Sequence, residues 1–443
     1  MQGNSMQPSS QATVMNFLNE VAGRFPTAIS LAAGRPTERF FDRLQPSALL
    51  RALSRYEQYA SGRGTKRDVM ASLLQYGRTA GMIEELISAQ LSRDEGVVAT
   101  PDRLIVTAGC QEALALCLAA LCPEPGDVAL VCNPTYIGAT GAADASGVAI
   151  VALPGNDDDL AASVAHTAGE LRRQGRTARV LYVIPDFDNP TGRVIDEAQR
   201  VALLAVCAQQ RIVVLEDNPY GMFRYDGQPV PPMAALDSAG SVIYLSTYSK
   251  TLCPALRVGS LTLPQTLFGD RTARMQLFEE LTQRKSFLTV NTSQIAQAIV
   301  AGLLLEQDCS LRKWVQPAVD LYRDNRDTML RQLDRVFAPL AGTIGWNRPD
   351  GGFFLSLDLP FRFDAEAVTA CAVEHGVIVM PMAFFALDAS QDRRIRLAFS
   401  SVDAAQIAAG VSALGAYIAQ RIEQAEAAAG VAPALATAGA GSA

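Results

Sequence analysis

Histidine is almost absent from this chain: the 443 residues contain two, His166 and His375. A three-histidine metal site is therefore impossible, and a Ser-His-Asp triad has few ways to form. Both histidines read as surface or packing residues, and no metal is expected. The eight cysteines (Cys110, Cys117, Cys122, Cys132, Cys207, Cys253, Cys309 and Cys371) include no Cys-x-x-Cys pair. Scattered small apolar cysteines fit a reduced, cytoplasmic protein. No apolar run reaches the roughly 18 residues that a membrane span needs, and the first residues lack the basic start and apolar stretch of a secretory signal. Basic charge is short as well. The net charge is −7 and no polybasic run occurs, which speaks against nucleic-acid binding. Lysine is scarce, limited to Lys66, Lys250, Lys285 and Lys313. Arginine supplies the surface cations, so a lysine in an apolar, Ser/Thr-rich context stands out.

What is present is ample material for a core: 49% hydrophobic residues against 19% charged. The length predicts two domains, one of them large. Short apolar runs at 103–107, 128–132, 148–152, 179–184, 211–216 and 242–246 read as strands covered on both faces. Helical stretches such as 111–121 and 196–210 lie between them, the alternation of an α/β domain with a mostly parallel sheet. A long helical stretch at about 310–335 leads toward a smaller domain with strands near 351–357 and 394–399. The expected division is an N-terminal arm with part of the small domain (1–54), a large domain (55–320), a small α+β domain (321–423) and an Ala/Gly-rich tail (424–443) read as disordered.

Five segments suggest chemistry. Lys250 follows the strand Val242–Ser246 among the hydroxyls of Thr247, Ser249 and Thr251. It is placed to form an imine with an aldehyde while those hydroxyls and Arg257 hold an anion, although a loop lysine is the commoner reading of such a string. Glu216-Asp217 ends the strand Ile212–Leu215, where an acid reaches the crevice of an open α/β sheet. Pyridoxal 5′-phosphate (PLP) needs such an acid at its ring nitrogen; a capping or loop aspartate is the alternative. At Val106–Ala113 a strand turns through Gly109 into a helix whose free N–H groups suit a phosphate, without the lysine of a Walker loop. Asp188-Asn189-Pro190-Thr191-Gly192 is a turn whose Asn189 can donate to a ring oxygen. Arg394-Ile395-Arg396 offers a guanidinium for a carboxylate, or a plain surface charge.

Taken together, their order resembles the fold-type I, class I/II aminotransferases, in particular the 2-aminoadipate/kynurenine aminotransferase branch. The resemblance spans roughly residues 14–420. It is carried by Gln75-Tyr76-Gly77, Ala108-Gly109-Cys110-Gln111-Glu112-Ala113-Leu114, Asn133-Pro134-Thr135-Tyr136, Asn189-Pro190-Thr191-Gly192, Glu216-Asp217-Asn218-Pro219-Tyr220-Gly221, the run Thr247–Gly259 and Arg396–Ser400. The resemblance implies the PLP-dependent transferase fold type I, with a large domain holding a mixed, mainly parallel sheet and a small α+β domain built from both chain ends. It implies PLP as cofactor, bound covalently to Lys250, which also carries the proton in catalysis. Asp217 would pair with the ring nitrogen, Asn189 and Tyr220 with the phenolate oxygen, and Tyr136 would stack on the ring. Gly109, Cys110, Gln111, Thr247, Ser249 and Arg257 would surround the phosphate. Tyr76 would reach the phosphate of a neighbouring subunit in a homodimer with shared active sites. Arg396 would clamp the substrate α-carboxylate, Asn189 would lie beside the substrate, and Arg35 would bind a distal substrate group, unless it bridges to Glu38 at the surface.

Three residues depart from the family pattern: Cys110 for a hydroxyl residue, Asp188 for a Gln or His, and Asn218 for a second acid. The strings Asn16–Ala22, Ser30–Pro36 and Phe40-Phe41-Asp42 are similar to arylglycine aminotransferases of antibiotic pathways. The implied activity is transfer of an amino group between an L-amino acid, aromatic or arylglycine among the candidates, and a 2-oxo acid by a ping-pong mechanism. Another PLP reaction on the same scaffold (oxidase, cyclase or lyase) is the alternative. A PLP-sensing regulatory domain is disfavoured, because only about 15 residues precede the family-like region and they hold no winged helix.

Overall fold

The computed structural model describes residues 20–21, 23–62, 65–154, 159–340 and 342–428. A seven-stranded sheet organises the larger part. Its strands are β2 (Leu104–Thr107), β3 (Asp127–Val131), β4 (Ala149–Ala152), β5 (Thr177–Val183), β6 (Val213–Asp217), β7 (Val242–Thr247) and β8 (Gly259–Thr262), in the spatial order β2-β8-β7-β6-β5-β3-β4. β8 pairs antiparallel with both β2 and β7, while all the other pairings are parallel. Six of the strands lie within two residues of the runs read from the sequence. Every residue of β2, β3, β6 and β8 is buried, as expected of strands covered by helices on both faces.

The parallel arrangement fixes the site. β2, β5, β6 and β7 end at one edge, so the loops after Thr107, Val183, Asp217 and Thr247 meet there, in the crevice outside the strand ends where α/β sheets bind ligands. Side chains cap the N-termini of several surrounding helices: Asp196 and Gln199 form a capping box on Glu197–Gln210, and Asp159, Asp270 and Asp364 each cap one helix. Helix Cys110–Leu121 differs. Its cap is Gly109, with φ 81° and no side-chain hydrogen bond, so its first N–H groups stay available.

The smaller unit carries a four-stranded antiparallel sheet of β9 (Gly345–Trp346), β10 (Phe354–Asp358), β12 (Met380–Pro381) and β13 (Arg394–Ala398), in the order β12-β13-β10-β9. The N-terminal segment joins this unit. β1 (Ile29–Ser30) pairs in parallel with β11 (Val377–Ile378), and the Ala398 N–H donates to the Leu31 carbonyl at 2.7 Å.

Two of the expected domain borders fall within single helices. Position 54/55 falls inside the continuous helix Pro46–Ser61, which packs on helix Gln294–Glu306; a Cβ on Gly302 would lie 1.8 Å from the Ala52 carbonyl oxygen. From that packing we infer a first border near Gln45. Position 320/321 lies inside helix Arg312–Phe337, which tolerates Pro317 in its interior and connects the two units. The last helix, Ala404–Ala428, runs past the expected start of the tail at 424, because alanine is the best helix former. Residues 429–443 and most of the Asn16–Ala22 string lie outside the described residues. No described helix is long and apolar enough to cross a membrane.

Candidate active site

A cleft of about 490 Å³ opens between the sheet edge and the smaller unit. Cys110, Gln111, Tyr136, Asn189, Asp217, Tyr220, Thr247, Ser249, Lys250, Arg257, Arg396 and Arg35 all line it. Gly109 lies beside it, against Arg257. Tyr76 does not line it: its side chain is 79% exposed on the protein surface.

Lys250 follows β7 at the floor of the cleft, and its Nζ donates to the Gly34 carbonyl at 3.2 Å. Burial lowers its pKa to about 8, and the positive charges of Arg396 and Arg257 add to the shift while Asp217 opposes it. A lysine so placed is a competent amine nucleophile near neutrality.

The two neighbouring acids at the end of β6 have different surroundings. Glu216 is fully buried and accepts the Met233 and Ala234 N–H groups at 2.7 Å each, so it caps a short helix. Asp217 accepts the Tyr182 hydroxyl at 2.8 Å on Oδ2. Its Oδ1 is buried and has no hydrogen-bond partner among the described residues. Burial raises its pKa to about 6, with the Tyr182 hydrogen bond, the neighbouring Cys110 thiol and Lys250 pulling it down. A buried carboxylate oxygen without a donor is costly. It suits a protonated ring nitrogen, and this orphaned atom is the best local test that the cleft fits PLP.

The anion cradle has equally specific geometry. Arg257 adopts φ 51° and donates to Ser249 Oγ and the Ala108 carbonyl, both at 3.1 Å. Its guanidinium thereby covers the free start of helix Cys110–Leu121. A Cβ at Gly109 would lie 2.4 Å from Arg257 Nη2, and one at Gly259 would lie 3.1 Å from the Cys110 nitrogen. Both glycines let loop, helix end and guanidinium converge. Thr247 Oγ1 and Ser249 Oγ, 3.1 Å apart, complete the cradle.

Arg396, on β13, is 4% exposed. Its Nη1 donates to Asn189 Oδ1 and its Nη2 to the Ala32 carbonyl, both at 2.6 Å, while Nε has no partner among the described residues. Phe354 and Phe385 flank it at 4.2 and 4.8 Å from its guanidinium carbon. Burial lowers its pKa to about 10, which leaves it charged at neutral pH. Because arginine only donates, the Asn189 oxygen must face it, and the Asn189 amide nitrogen remains a donor for another group. Burial raises the Tyr136 hydroxyl to about 12 and the Tyr220 hydroxyl further, so both act as neutral hydrogen-bonding groups.

The three departures from the family pattern acquire structural context. Asp188 accepts the Thr191 backbone N–H and hydroxyl, at 3.3 and 2.6 Å, and so closes the Asn-Pro-Thr-Gly turn. Burial and the neighbouring Asp217 raise the Cys110 thiol well above its ordinary value, so it stays protonated. Asn218 turns away from the cleft into a polar cluster behind it. Sequence reasoning missed Tyr182, Phe354, Phe385 and Gly34. Tyr182 carried a signal, since a hydroxyl in a fully buried run needs a partner.

The sequence profile described as aminotransferase class I and II matches residues 43–414. The chain belongs to that family. Class I and II aminotransferases use PLP, and so does this aminotransferase. It is 37% identical over 419 residues to an (S)-3,5-dihydroxyphenylglycine transaminase of Amycolatopsis orientalis, covering 92% of each chain. It is 30% identical to aromatic-amino-acid aminotransferase 1 of Thermococcus litoralis, covering 80% of this chain and 82% of that one. Among solved structures, a Pyrococcus horikoshii kynurenine aminotransferase superposes with a TM-score of 0.78 at 27% identity, covering 94% of this aminotransferase and 96% of that chain. The protein is thus a PLP-dependent aminotransferase of fold type I, acting on an amino acid and a 2-oxo acid.

Proposed function

We propose that this aminotransferase takes an aromatic or arylglycine amino donor, and that the cleft residues divide the work as follows. Lys250 would hold the cofactor and move the proton at the substrate Cα. When bound, PLP supplies an electron-poor ring that accepts the electron pair released at that carbon. Asp217 Oδ1 keeps the ring nitrogen protonated, and Tyr182 holds the carboxylate in place. Asn189 and Tyr220 would donate to the ring oxygen, and Tyr136 would lie against the ring. Gly109, Cys110, Gln111, Thr247, Ser249 and Arg257 bind the phosphate. Arg396 orients the α-carboxylate through its remaining N–H groups. The same guanidinium would bind the amino donor and then the second oxo acid, with the cofactor holding the amine between the two.

One observation carries the donor assignment: the cleft that holds Arg396 is also lined by Leu114, Ile137, Ile378, Met380 and Phe385, apolar side chains that suit a ring. Arg35, also on the cleft wall, supplies a cation for ring stacking or for a distal polar group. The activities of the two relatives, a dihydroxyphenylglycine transaminase and an aromatic-amino-acid aminotransferase, support this reading. We also infer a cytoplasmic, biosynthetic role in a homodimer; all eight cysteines are free thiols, consistent with a reducing compartment.

The test is a panel of amino donors in single turnover, followed by cofactor absorbance and detection of the oxo acid. Arylglycines and aromatic amino acids should convert at least about tenfold faster than alanine, on the order of 1.4 kcal/mol of side-chain contact. Equal rates across the panel would remove the donor assignment. Lys250→Ala should abolish turnover and the visible absorbance of the attached cofactor.

A further inference from the structure

Behind the cleft, helix Glu84–Glu95 ends against the backs of β6 and β7. Glu95 Oε1 accepts from Gln90 Nε2 at 3.3 Å. Its Oε2 accepts the Tyr244 hydroxyl and lies 3.5 Å from Asn218 Nδ2. Asn218 Nδ2 also reaches the Tyr244 hydroxyl oxygen at 2.8 Å. On its other side, Asn218 Oδ1 accepts the Gly221 N–H at 2.8 Å and closes the turn that carries Tyr220. Tyr248 extends the cluster, donating to Gln90 Oε1 at 3.2 Å. One carboxylate therefore ties a helix end to β7, through Tyr244, and to the residue that follows Asp217.

We propose that Glu95, Tyr244 and Asn218 form a brace that positions Asp217 and Tyr220 against the cofactor, and that position 218 holds an amide because Glu95 faces it. Donor and acceptor roles enforce the second part. The Gly221 N–H can only donate, so the oxygen of Asn218 must point to it and the NH2 must point to Glu95. An aspartate at 218 would keep the turn but turn a second carboxylate oxygen toward Glu95 Oε2. Two carboxylates at that separation in a partly buried site cannot both stay ionised at low cost. The surroundings offer little relief: burial raises Glu95 to about 7, the Tyr244 and Gln90 hydrogen bonds hold it down, and Asp94 and Asp186 push it up. Repulsion there would move the loop that carries Asp217 and Tyr220, and with it the grip on the ring. Glu95, Tyr244 and Asn218 are positioning residues that touch neither cofactor nor substrate.

The inference rests on the assignment of Asp217 and Tyr220 to the cofactor ring. It is tested with four holoenzymes: wild type, Asn218→Asp, Glu95→Gln and the double variant. The rate of cofactor release into a trap is measured beside the absorbance spectrum and the melting temperature. Asn218→Asp should release cofactor at least about tenfold faster, the scale of one buried like-charge contact, with a shifted visible band. Glu95→Gln should restore the Asn218→Asp release rate to within about threefold of wild type, because it removes one charge and returns an NH2 donor. A double variant no better than Asn218→Asp, or wild-type release in Asn218→Asp, overturns the proposal. If Asn218→Asp does not fold, Tyr244→Phe carries the test: it deletes the shared hydroxyl and should quicken release by about threefold, and unchanged release is the contrary result. Asp217→Asn serves as the separate control. Wild-type turnover there would remove the Asp217 assignment while leaving the coupling of Glu95 to Asn218 standing.

Discussion

Glu216 and Asp217 are adjacent acids with unequal hydrogen bonding, and the difference separates a carboxylate tied to the backbone from one with an open oxygen. Glu216 has both oxygens filled by backbone donors, whereas Asp217 keeps one oxygen bare inside the protein. That bare oxygen has a stability cost with a definite pH dependence. In the chain stripped of cofactor, burial moves the Asp217 carboxyl from 3.8 to about 6, so folding favours its protonated form. The cost is absent below pH about 4, grows between about 4 and 6, and is complete above that, at roughly 2–3 kcal/mol. Asp217→Asn should therefore raise the melting temperature of the stripped protein at pH 8, and the gain should vanish as pH falls to 4. The same substitution should lower kcat of the loaded enzyme by about 100-fold or more, since the charge opposite the ring nitrogen matters most as electrons arrive there. Calorimetry at the two pH values and steady-state kinetics check both halves; a lower melting temperature at pH 8 contradicts the account. Arg35 and Arg396 invite a second comparison. Among the described residues no ion pair joins Arg35 to Glu38, so the surface bridge entertained from sequence does not form. Arg396→Ala should depress kcat/KM for every donor. Arg35→Ala should spare alanine and weaken aromatic or acidic donors by ~1–3 kcal/mol. A uniform loss for Arg35→Ala across the donor panel would assign that residue to structure.

At the scale of elements, what could be read in advance followed burial. The six strands with long β-branched or aliphatic runs were legible because a strand covered on both faces must be apolar throughout. β8 was not, since Gly259-Ser260-Leu261-Thr262 is short and half polar, and its antiparallel place between β2 and β7 is a tertiary fact. Domain borders are hard to read for a related reason: Pro46–Ser61 and Arg312–Phe337 are single helices whose continuity carries no composition change. The strand-end residues of the cleft were legible because their spacing repeats a family pattern, but their supports were not. Phe354 looked like one more apolar residue of a strand, yet it stacks on Arg396 and sits on Gly34. Gly34 is where the N-terminal segment passes over Lys250, and a Cβ there would lie 2.1 Å from Phe354 Cζ. Gly34→Ala should consequently displace the carbonyl that holds Lys250 and the ring that holds Arg396. We expect kcat/KM to fall at least tenfold for all donors, with ~1–3 kcal/mol of overpacking seen in chemical denaturation. Wild-type kinetics in Gly34→Ala would show that the segment is free to yield.

The whole molecule presents an apolar surface that a lone chain has no reason to expose. Leu74 is 73% exposed, Tyr76 79%, Phe287 83% and Leu288 66%. These residues belong to adjoining segments. Gln294 Nε2 donates to the Ser72 carbonyl at 3.2 Å, and a Cβ at Gly77 would collide with the Gln294 side chain. The stretch holding Phe287 and Leu288 leads directly into that residue. Exposed aromatic and aliphatic side chains grouped in this way mark an interaction surface, and a second copy of the chain is the occupant we propose. Tyr76 belongs to that surface rather than to its own cleft, which fits a tyrosine serving the phosphate cradle of the other subunit. Shared sites make a prediction that separate sites do not. Tyr76→Phe should weaken cofactor retention by about tenfold through loss of one charge-assisted hydrogen bond, and Lys250→Ala should be inactive. In a hybrid of the two, one cleft combines an intact Lys250 with the partner's intact tyrosine, and the other carries both lesions. Co-expressed and separated by distinct tags, the hybrid should therefore show about half the wild-type activity at low cofactor concentration, above both parents. A hybrid that only averages its parents would place Tyr76 outside the neighbouring site.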